Sequence, residues 1–430
     1  MEQLLIFIFQ LISDNKKSFF INNTLMKFLR SYNNTIFFIC CLILIVGCSK
    51  KIKAPIKIIS KNKTILTDDT ILRVGAEQLD LYLPILKNKN IALVVNHTSL
   101  INSTHLADTL LKLNIVIKKI FSPEHGFRGE ADAGETVKNS VDIKTNLPLI
   151  SLYGKNKKPS QEQLNDIDII IFDMQDVGAR FYTYSSTMHY VMETCAEQKK
   201  KVIILDRPNP NGEYIDGPVL DLKYKSFVGL NPIPIIHGLT LGEMALMING
   251  EGWLKDNVKC DLEIIKIKNY KHHQKYILPI RPSPNLPNQQ SIKLYPSLCL
   301  FEGTVISVGR GTDFPFQVLG GVDSTYGNFT FTPQSNAGNK APLNKNTKCF
   351  GLDFRNEVNT IFTLKFLIEF YQKCIDKPKF FNKYFDTLAG TDSLRKQIIE
   401  GLTEQQIKTT WQANLEKYKI LRKKYLLYGE

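Results

Sequence analysis

Five apolar runs, Ile91–Val95, Ile115–Phe121, Leu149–Leu152, Ile167–Phe172 and Val202–Leu205, recur along the first half of the chain, several of them separated by stretches of helical period such as Leu106–Leu113 and Met188–Gln198. Successive side chains of a strand point to opposite faces, so a run that is apolar at nearly every position leaves no face for water. Strands of that kind alternating with helices describe a doubly wound, mainly parallel sheet covered on both sides. The expected fold is α/β: a Rossmann-like mainly parallel sheet domain over residues 70–225 and a second, smaller α+β C-terminal domain over 226–430. A length of 430 residues is ample for two domains with a cleft between them.

The N-terminus reads as an address. Ile36 to Val46 is one apolar run, shorter than the roughly 20 residues a membrane-spanning helix needs. Lys27 and Arg30 precede it and Ile45-Val46-Gly47-Cys48 closes it, the form of a signal segment ending in a lipobox. The expectation is removal of residues 1–47, with Met26 as the true start, a lipid on Cys48 and a tether over 49–69. That would hold the chain at the cell envelope, lipid-anchored and facing the periplasm.

Charge and cysteines exclude several classes. The formal charge of +14 comes from 55 Lys+Arg against 41 Asp+Glu, but only ten of the basic residues are Arg, and the lysines are scattered. No zinc-finger spacing, RNP motif or long basic block points to nucleic acid. In such a background each Arg is a deliberate choice, because its planar fork grips carboxylates as Lys cannot. Cys195, Cys260, Cys299, Cys349 and Cys374 show no Cys-x-x-Cys and read as small buried hydrophobes, with at most one or two bridges. Dinucleotide, Walker A and Gly-x-Ser-x-Gly motifs are all missing, so no cofactor and no serine nucleophile is expected. His97, His105, His125 and His189 with Asp173 are the one set from which a metal site could be assembled, without diagnostic spacing, and no metal is expected.

Open parallel sheets bind ligands outside the carboxyl ends of their strands. Just past those ends stand Asn96-His97-Thr98, then Ser122-Pro123-Glu124-His125-Gly126-Phe127-Arg128-Gly129-Glu130, then Asp173-Met174-Gln175-Asp176-Val177-Gly178-Ala179-Arg180-Phe181-Tyr182, then Asp206-Arg207-Pro208-Asn209-Pro210-Asn211-Gly212. Carboxylates, His, Asn, Arg and aromatics gathered on one edge suit a hydroxyl-rich ligand such as a sugar. Asp and Asn at strand ends also cap turns and helices routinely, which is the competing explanation for any single loop. The second half offers a helix from His237-Gly238-Leu239-Thr240-Leu241-Gly242-Glu243 through Met247, a strand-like Val258–Ile267, a stiff polar loop at Arg281-Pro282-Ser283-Pro284-Asn285, an apolar strand Val305–Val308, and amphipathic helices at Phe362–Phe370 and Glu404–Lys419.

The loops at Ser122–Gly129, Met174–Tyr182 and Asp206–Gly212, with Phe301-Glu302-Gly303-Thr304, Ser307–Thr312, His237–Glu243 and Ile248–Trp253, strongly resemble the NamZ-type exo-β-N-acetylmuramidases, formerly a family of unknown function. The resemblance covers about residues 70–430. It implies a peptidoglycan-recycling enzyme that releases non-reducing terminal N-acetylmuramic acid, with its site in the cleft between the two domains and a muropeptide or other N-acetylmuramic-acid-containing saccharide as partner. Protein partners are not indicated.

Glycoside hydrolysis usually needs two carboxyls. Glu124, directly past a central strand and flanked by Pro123 and Gly126, is the first choice, with Glu302 as its partner and Asp173 and Asp176 as alternatives. Arg128, Arg180, Arg207 and Arg310 are the candidates to hold the lactyl carboxylate of muramic acid. His125, Tyr182, Asp206, Asn209, His237 and Asn285 complete the expected substrate-binding set. Two other classes stay open on sequence alone: a saccharide-binding lipoprotein without catalysis, and a metal-dependent hydrolase or deacetylase.

Overall fold

The computed structural model describes residues 70–123, 126–127, 140–154 and 156–430. Residues 1–69, with Cys48 and the signal segment, lie outside the described residues, as do Glu124, His125 and Arg128. Leu66–Glu430 forms one compact unit.

Twelve strands are seen among the described residues: β1 (Ile91–Val95), β2 (Leu100–Ile101), β3 (Thr104–His105), β4 (Ile117–Ser122), β5 (Ser140–Val141), β6 (Pro148–Ser151), β7 (Ile169–Asp173), β8 (Lys201–Leu205), β9 (Asp261–Ile265), β10 (Val318–Gly321), β11 (Phe329–Phe331) and β12 (Cys349–Asp353). Seven make one sheet in the order β5-β6-β4-β1-β7-β8-β9, and every pairing in it is parallel except that of the short β5. The chain runs from β1 outward to β4 and β6, then returns to the other side of β1 with β7. That reversal puts a crevice outside the carboxyl ends of β1 and β7.

The apolar runs are explained by two cores, one on each face. Ala92, Val94, Ile170, Phe172, Val202 and Ile204 pack on one side, and Ile91, Leu93, Val95, Ile169, Ile171, Ile203 and Leu205 on the other. Each Val, Leu, Ile or Phe among them contributes about 1.5–3 kcal/mol on burial, so the register of these strands is strongly fixed. Among the described residues Cys195, Cys260, Cys299, Cys349 and Cys374 are buried and unpaired thiols.

Two expectations change. The strand-like Val258–Ile267 supplies β9, which pairs with β8, so the sheet runs past residue 225 where the sequence reading ended the first domain. Val305–Val308 is no strand: Val305 is exposed, and the segment makes only isolated bridges from Thr304 to Phe381 and from Ser307 to Gly320 before Gly309 and Gly311 turn it with positive φ.

The second domain is helical around a small antiparallel sheet, β10-β12-β11. Its longest helix, Glu404–Lys423, is capped by Thr403 with Gln406 and buries Ile407, Trp411, Leu415, Tyr418 and Arg422 along one stripe. Tyr418 donates to the carbonyl of His237 (2.7 Å), and Arg422 donates twice to that of Gly238 (3.1 and 2.7 Å), so this helix clamps the turn before helix Leu241–Gly250.

Gly303 sits tightly against the next helix, because a Cβ there would stand 2.4 Å from the Cα of Phe385. Gly303→Ala therefore forces the Cys299–Gly303 turn off helix Phe385–Ala389 and should cost about 1–3 kcal/mol. Denaturant unfolding checks it, and an unchanged midpoint would show that the turn has room.

Candidate active site

The carboxyl edge is stitched by side chains that leave the strands there. Asp173, at the end of β7, is fully buried and takes both oxygens to Arg207, just past β8: Nε at 2.5 Å and Nη2 at 2.9 Å. Arg207 Nη2 also donates to Leu100 O at 3.0 Å. Burial alone would lower the arginine's pKa, and the Asp173 carboxylate more than reverses that. The next loop is tied back the same way. Gln175 N donates to Thr98 Oγ1 (3.0 Å), and its amide donates to Asp176 O and Pro208 O, both at 2.8 Å.

Most of the other expected site residues turn out to be scaffold. Asp206 accepts from Thr240 and Tyr428 hydroxyls (2.6 Å each) and from the amides of Gly242 (2.8 Å) and Arg207 (3.0 Å). Burial pushes its pKa up to about 6 against those donors. Asn209 Nδ2 donates to Leu239 O at 2.8 Å, and its Oδ1 accepts from Asn211 N at 2.8 Å. His237 is buried. Its Nδ1 accepts from Leu239 N at 3.2 Å, which leaves the proton of the neutral ring on Nε2, and burial with the nearby Arg422 and Arg180 drives its pKa down to about 3. Asp176 Oδ2 accepts from Gly178 N at 2.6 Å and lies 3.8 Å from His237 Nε2, while Oδ1 has no partner among the described residues. Burial pushes Asp176 up to about 7.

Arg180 is the largest correction to the expected binding set. At 1% exposure it donates to four main-chain carbonyls: Pro218 (2.8 Å), Ile233 (2.9 Å), Leu388 (3.0 Å) and Ala389 (2.6 Å). The fork ties the loop after β7 to helix Phe385–Ala389 through its terminal nitrogens, and Nε has no partner among the described residues.

Tyr182, Asn285 and Arg310 do meet. With Phe181, Tyr184, Tyr295 and Phe316 they line a hollow of about 50 Å³. Its walls are edge-to-face aromatic pairs, Tyr182 on Tyr184 at 4.8 Å and Tyr295 on Phe316 at 4.9 Å between centroids. Asn96, the residue after β1, donates to the Tyr184 hydroxyl at 2.7 Å and so couples the hollow to the sheet edge. Asn285 is held from behind, its amide on Gly338 O at 2.7 Å. Arg310 lies over Phe316 and donates through Nε to Glu302 Oε1 at 2.5 Å, and its two terminal nitrogens have no partner among the described residues. Burial alone would lower its pKa, and the Glu302 carboxylate holds it above the usual arginine range. Glu302, expected as a catalytic carboxyl, orients this fork, with its other oxygen 3.5 Å from the Cys299 thiol.

One loop divides the edge. His97 Nε2 donates to Arg281 O at 2.9 Å and Tyr182 Oη to Pro282 O at 2.9 Å, pinning the chain between the small hollow, on the Ser283–Leu286 side, and a larger one of about 450 Å³ on the Gln274–Ile280 side. Sequence reasoning missed Tyr184, Tyr295 and Phe316, because an aromatic in a helix or turn has the same signature whether it packs a core or walls a pocket. Of the histidines considered for a metal, His125 lies outside the described residues and the other three are engaged separately. His97 is on Arg281 O, His105 Nε2 is on Asn96 O (2.9 Å), and His189 Nδ1 lies 3.0 Å from Asn231 Oδ1.

An aromatic-walled hollow with an uncommitted guanidinium, at the ligand edge of a doubly wound sheet and lined from both halves of the chain, defines a two-domain α/β protein with a site suited to an acidic saccharide. The chain belongs to the exo-β-N-acetylmuramidase NamZ family: the N-terminal family model matches residues 91–290 and the C-terminal one residues 293–428. The peptidoglycan β-N-acetylmuramidase NamZ of Bacillus subtilis (strain 168) is 37% identical over 377 residues, which is 80% of this chain and 88% of that protein. Crystal structures of two DUF1343 family proteins from Bacteroides fragilis NCTC 9343 each cover 84% of this chain and 99% of their own. One has TM-score 0.78 and 49% identity, the other 0.72 and 29%.

Two predictions follow from these side chains. Arg180→Lys leaves several buried carbonyls without donors and should cost about 3 kcal/mol of stability, whereas Arg310→Lys should cost far less. Equal unfolding midpoints for the two variants would contradict the scaffold role. Asp176 and Asp206 also take up protons on folding, because their folded values of about 7 and about 6 lie above the unfolded 3.8. Stability should therefore fall as pH rises from about 4 through 6 and 7. Asp176→Asn keeps an oxygen for Gly178 and should lose less melting temperature between pH 5 and pH 8 than the unaltered protein. An identical pH profile would remove Asp176 as a proton holder.

Proposed function

We infer that the chain is an exo-acting glycosidase that releases the non-reducing terminal N-acetylmuramic acid from peptidoglycan fragments such as the muramic acid–N-acetylglucosamine disaccharide. The observation that carries the substrate assignment is Arg310. Of the expected arginines, Arg180 is engaged by four carbonyls and Arg207 by Asp173, and Arg128 lies outside the described residues. Arg310 alone among the described three presents two free terminal nitrogens to a hollow. The hollow is small, about 50 Å³, and its aromatic walls beside the Arg310 fork suit a short carboxylate-bearing arm. The lactyl group enters it, its carboxylate on the Arg310 fork, and the ring lies outside along the edge.

Hydrolysis breaks the bond from C1 of muramic acid to the leaving oxygen. That oxygen takes a proton from a carboxylic acid, and water completes the substitution at C1. Glu124 is our choice for the first carboxyl, because β4 ends at Ser122 on the same edge, next to β1. Of the groups considered opposite it, Asp173 is committed on both oxygens and Glu302 on Arg310, while Asp176 keeps one oxygen free. The lipid anchor at Cys48 and an envelope location facing the periplasm belong to the same proposal. Support for them is the charged, then apolar, then Gly47-Cys48 order of the N-terminus.

The test is release of free N-acetylmuramic acid from the purified disaccharide. Arg310→Lys should lose tenfold or more in kcat/KM on muramyl substrates and nothing comparable on an aryl N-acetylglucosaminide, which has no lactyl arm. Glu124→Gln should stay folded and lose roughly 10²–10⁴ in rate. A folded Glu124→Gln protein at more than about a tenth of the original rate would move the acid elsewhere, and unaltered protein that binds the disaccharide without cleaving it would make this a saccharide-binding protein. Radiolabelled palmitate entering the unaltered chain and not Cys48→Ala would support the anchor, and equal labelling would refute it.

A further inference from the structure

The larger hollow, of about 450 Å³, is in the size range of small-ligand sites and is not used by the function proposed above. Thr98, Gln175 and Arg207, the residues just past β1, β7 and β8, form its floor, so it opens at the same edge. Thr98 is only two residues from Asn96, which holds Tyr184 in the small hollow, and two residues span at most about 7 Å. The two spaces therefore open at neighbouring points of the same edge.

Its chemistry differs from that of its neighbour. Among the described residues Glu77 and Arg207 are the charged ones lining it, and Asp173 pairs with Arg207, which leaves the carboxylate of Glu77 as their net charge. Glu77 Oε2 accepts from Val74 N at 2.9 Å, while Oε1, Arg207 Nη1 and the Tyr276 hydroxyl have no hydrogen-bond partner among the described residues. An acceptor, a charged donor and a phenol thus face a space whose remaining wall is largely aliphatic, from Val74, Leu100 and Ile280. Net negative charge repels an acidic sugar. Hydroxyls and an acetamide group can use the acceptor and both donors, and the acetyl methyl can rest on the aliphatic wall.

We propose that this hollow binds an uncharged N-acetylhexosamine, the sugar on the leaving side of the scissile bond, so that the loop pinned at Arg281 and Pro282 separates a site for the acidic sugar from a site for the neutral one. The proposal rests on the muramidase reading for its place in the reaction, and on the hollow itself for the ligand.

The experiment compares two substrates on the full chain. Tyr276→Ala and Glu77→Gln, the latter keeping an oxygen for Val74 N, should each raise KM for the disaccharide about tenfold with kcat retained, as loss of one good hydrogen bond implies. On an aryl muramide, which lacks the hexosamine, both constants should stay put. Equal changes on both substrates, or none on either, would overturn the proposal. If the unaltered protein cleaves neither substrate, the muramidase reading has failed and the hollow is read directly by calorimetric titration with N,N′-diacetylchitobiose. Binding that is lost in Tyr276→Ala sustains the site, and no binding, or binding unchanged by that substitution, overturns it.

Discussion

The buried pair between Asp173 and Arg207 is the contact on which the working edge of the sheet depends. β7 and β8 are neighbours, and the pair joins the residue ending one to a residue just past the other. The Arg207 fork then reaches Leu100, and the Ser99 hydroxyl donates to the Asp173 carbonyl, so the turn after β1 is drawn into the same knot. Removing one partner of such a pair costs about 3–5 kcal/mol, because it strands a charge out of water. What the pair secures is position: three strand ends are held at fixed mutual distances, and the loops that depart from them inherit that rigidity.

The sheet was legible because burial on two faces writes itself into every residue of a strand. The site was less so. Asp206, Asn209, His237 and Asp176 follow strand ends or open a helix, and in sequence a polar residue there has the same appearance whether it faces a ligand or satisfies a neighbouring amide. Thr240 and Glu243 show how fully the second role can absorb a motif. They form a reciprocal cap, Glu243 reaches His272 (2.9 Å) and Leu427 N (2.8 Å), and Asp206 takes Thr240. The C-terminal residues close this network, Tyr428 donating to Asp206 and accepting from Ile267 N. No spacing rule links residue 206 to residue 428, so only the fold reveals the connection.

The arginines make the same point in reverse. Arg180, Arg207 and Arg310 are alike in sequence context, each near glycine, proline or aspartate, yet their forks have three different tasks. One satisfies carbonyls between domains, one neutralises a carboxylate, and one is oriented by Glu302 through Nε with its outer nitrogens free. A guanidinium can divide its donors in this way because they are fixed in a plane. Engaging Nε fixes the plane, and the terminal nitrogens then point where a bidentate anion can meet them.

That arrangement has a consequence for how the edge discriminates among sugars. Two hydrogen bonds to main-chain carbonyls, from His97 and Tyr182, hold the loop at Arg281 and Pro282, and proline at 282 and 284 leaves it few alternative conformations. A partition fixed before substrate arrives need not be ordered by binding, so the cost of forming two adjacent sites falls on folding rather than on affinity. Across that partition the electrostatics differ in kind. A free guanidinium faces the small hollow and an unneutralised carboxylate the large one. A saccharide presented in the reversed direction would set its acid beside Glu77 and leave Arg310 without a counter-ion, and both mismatches oppose binding. On the reading proposed above, direction along the glycan is set by which arginine the fold leaves free.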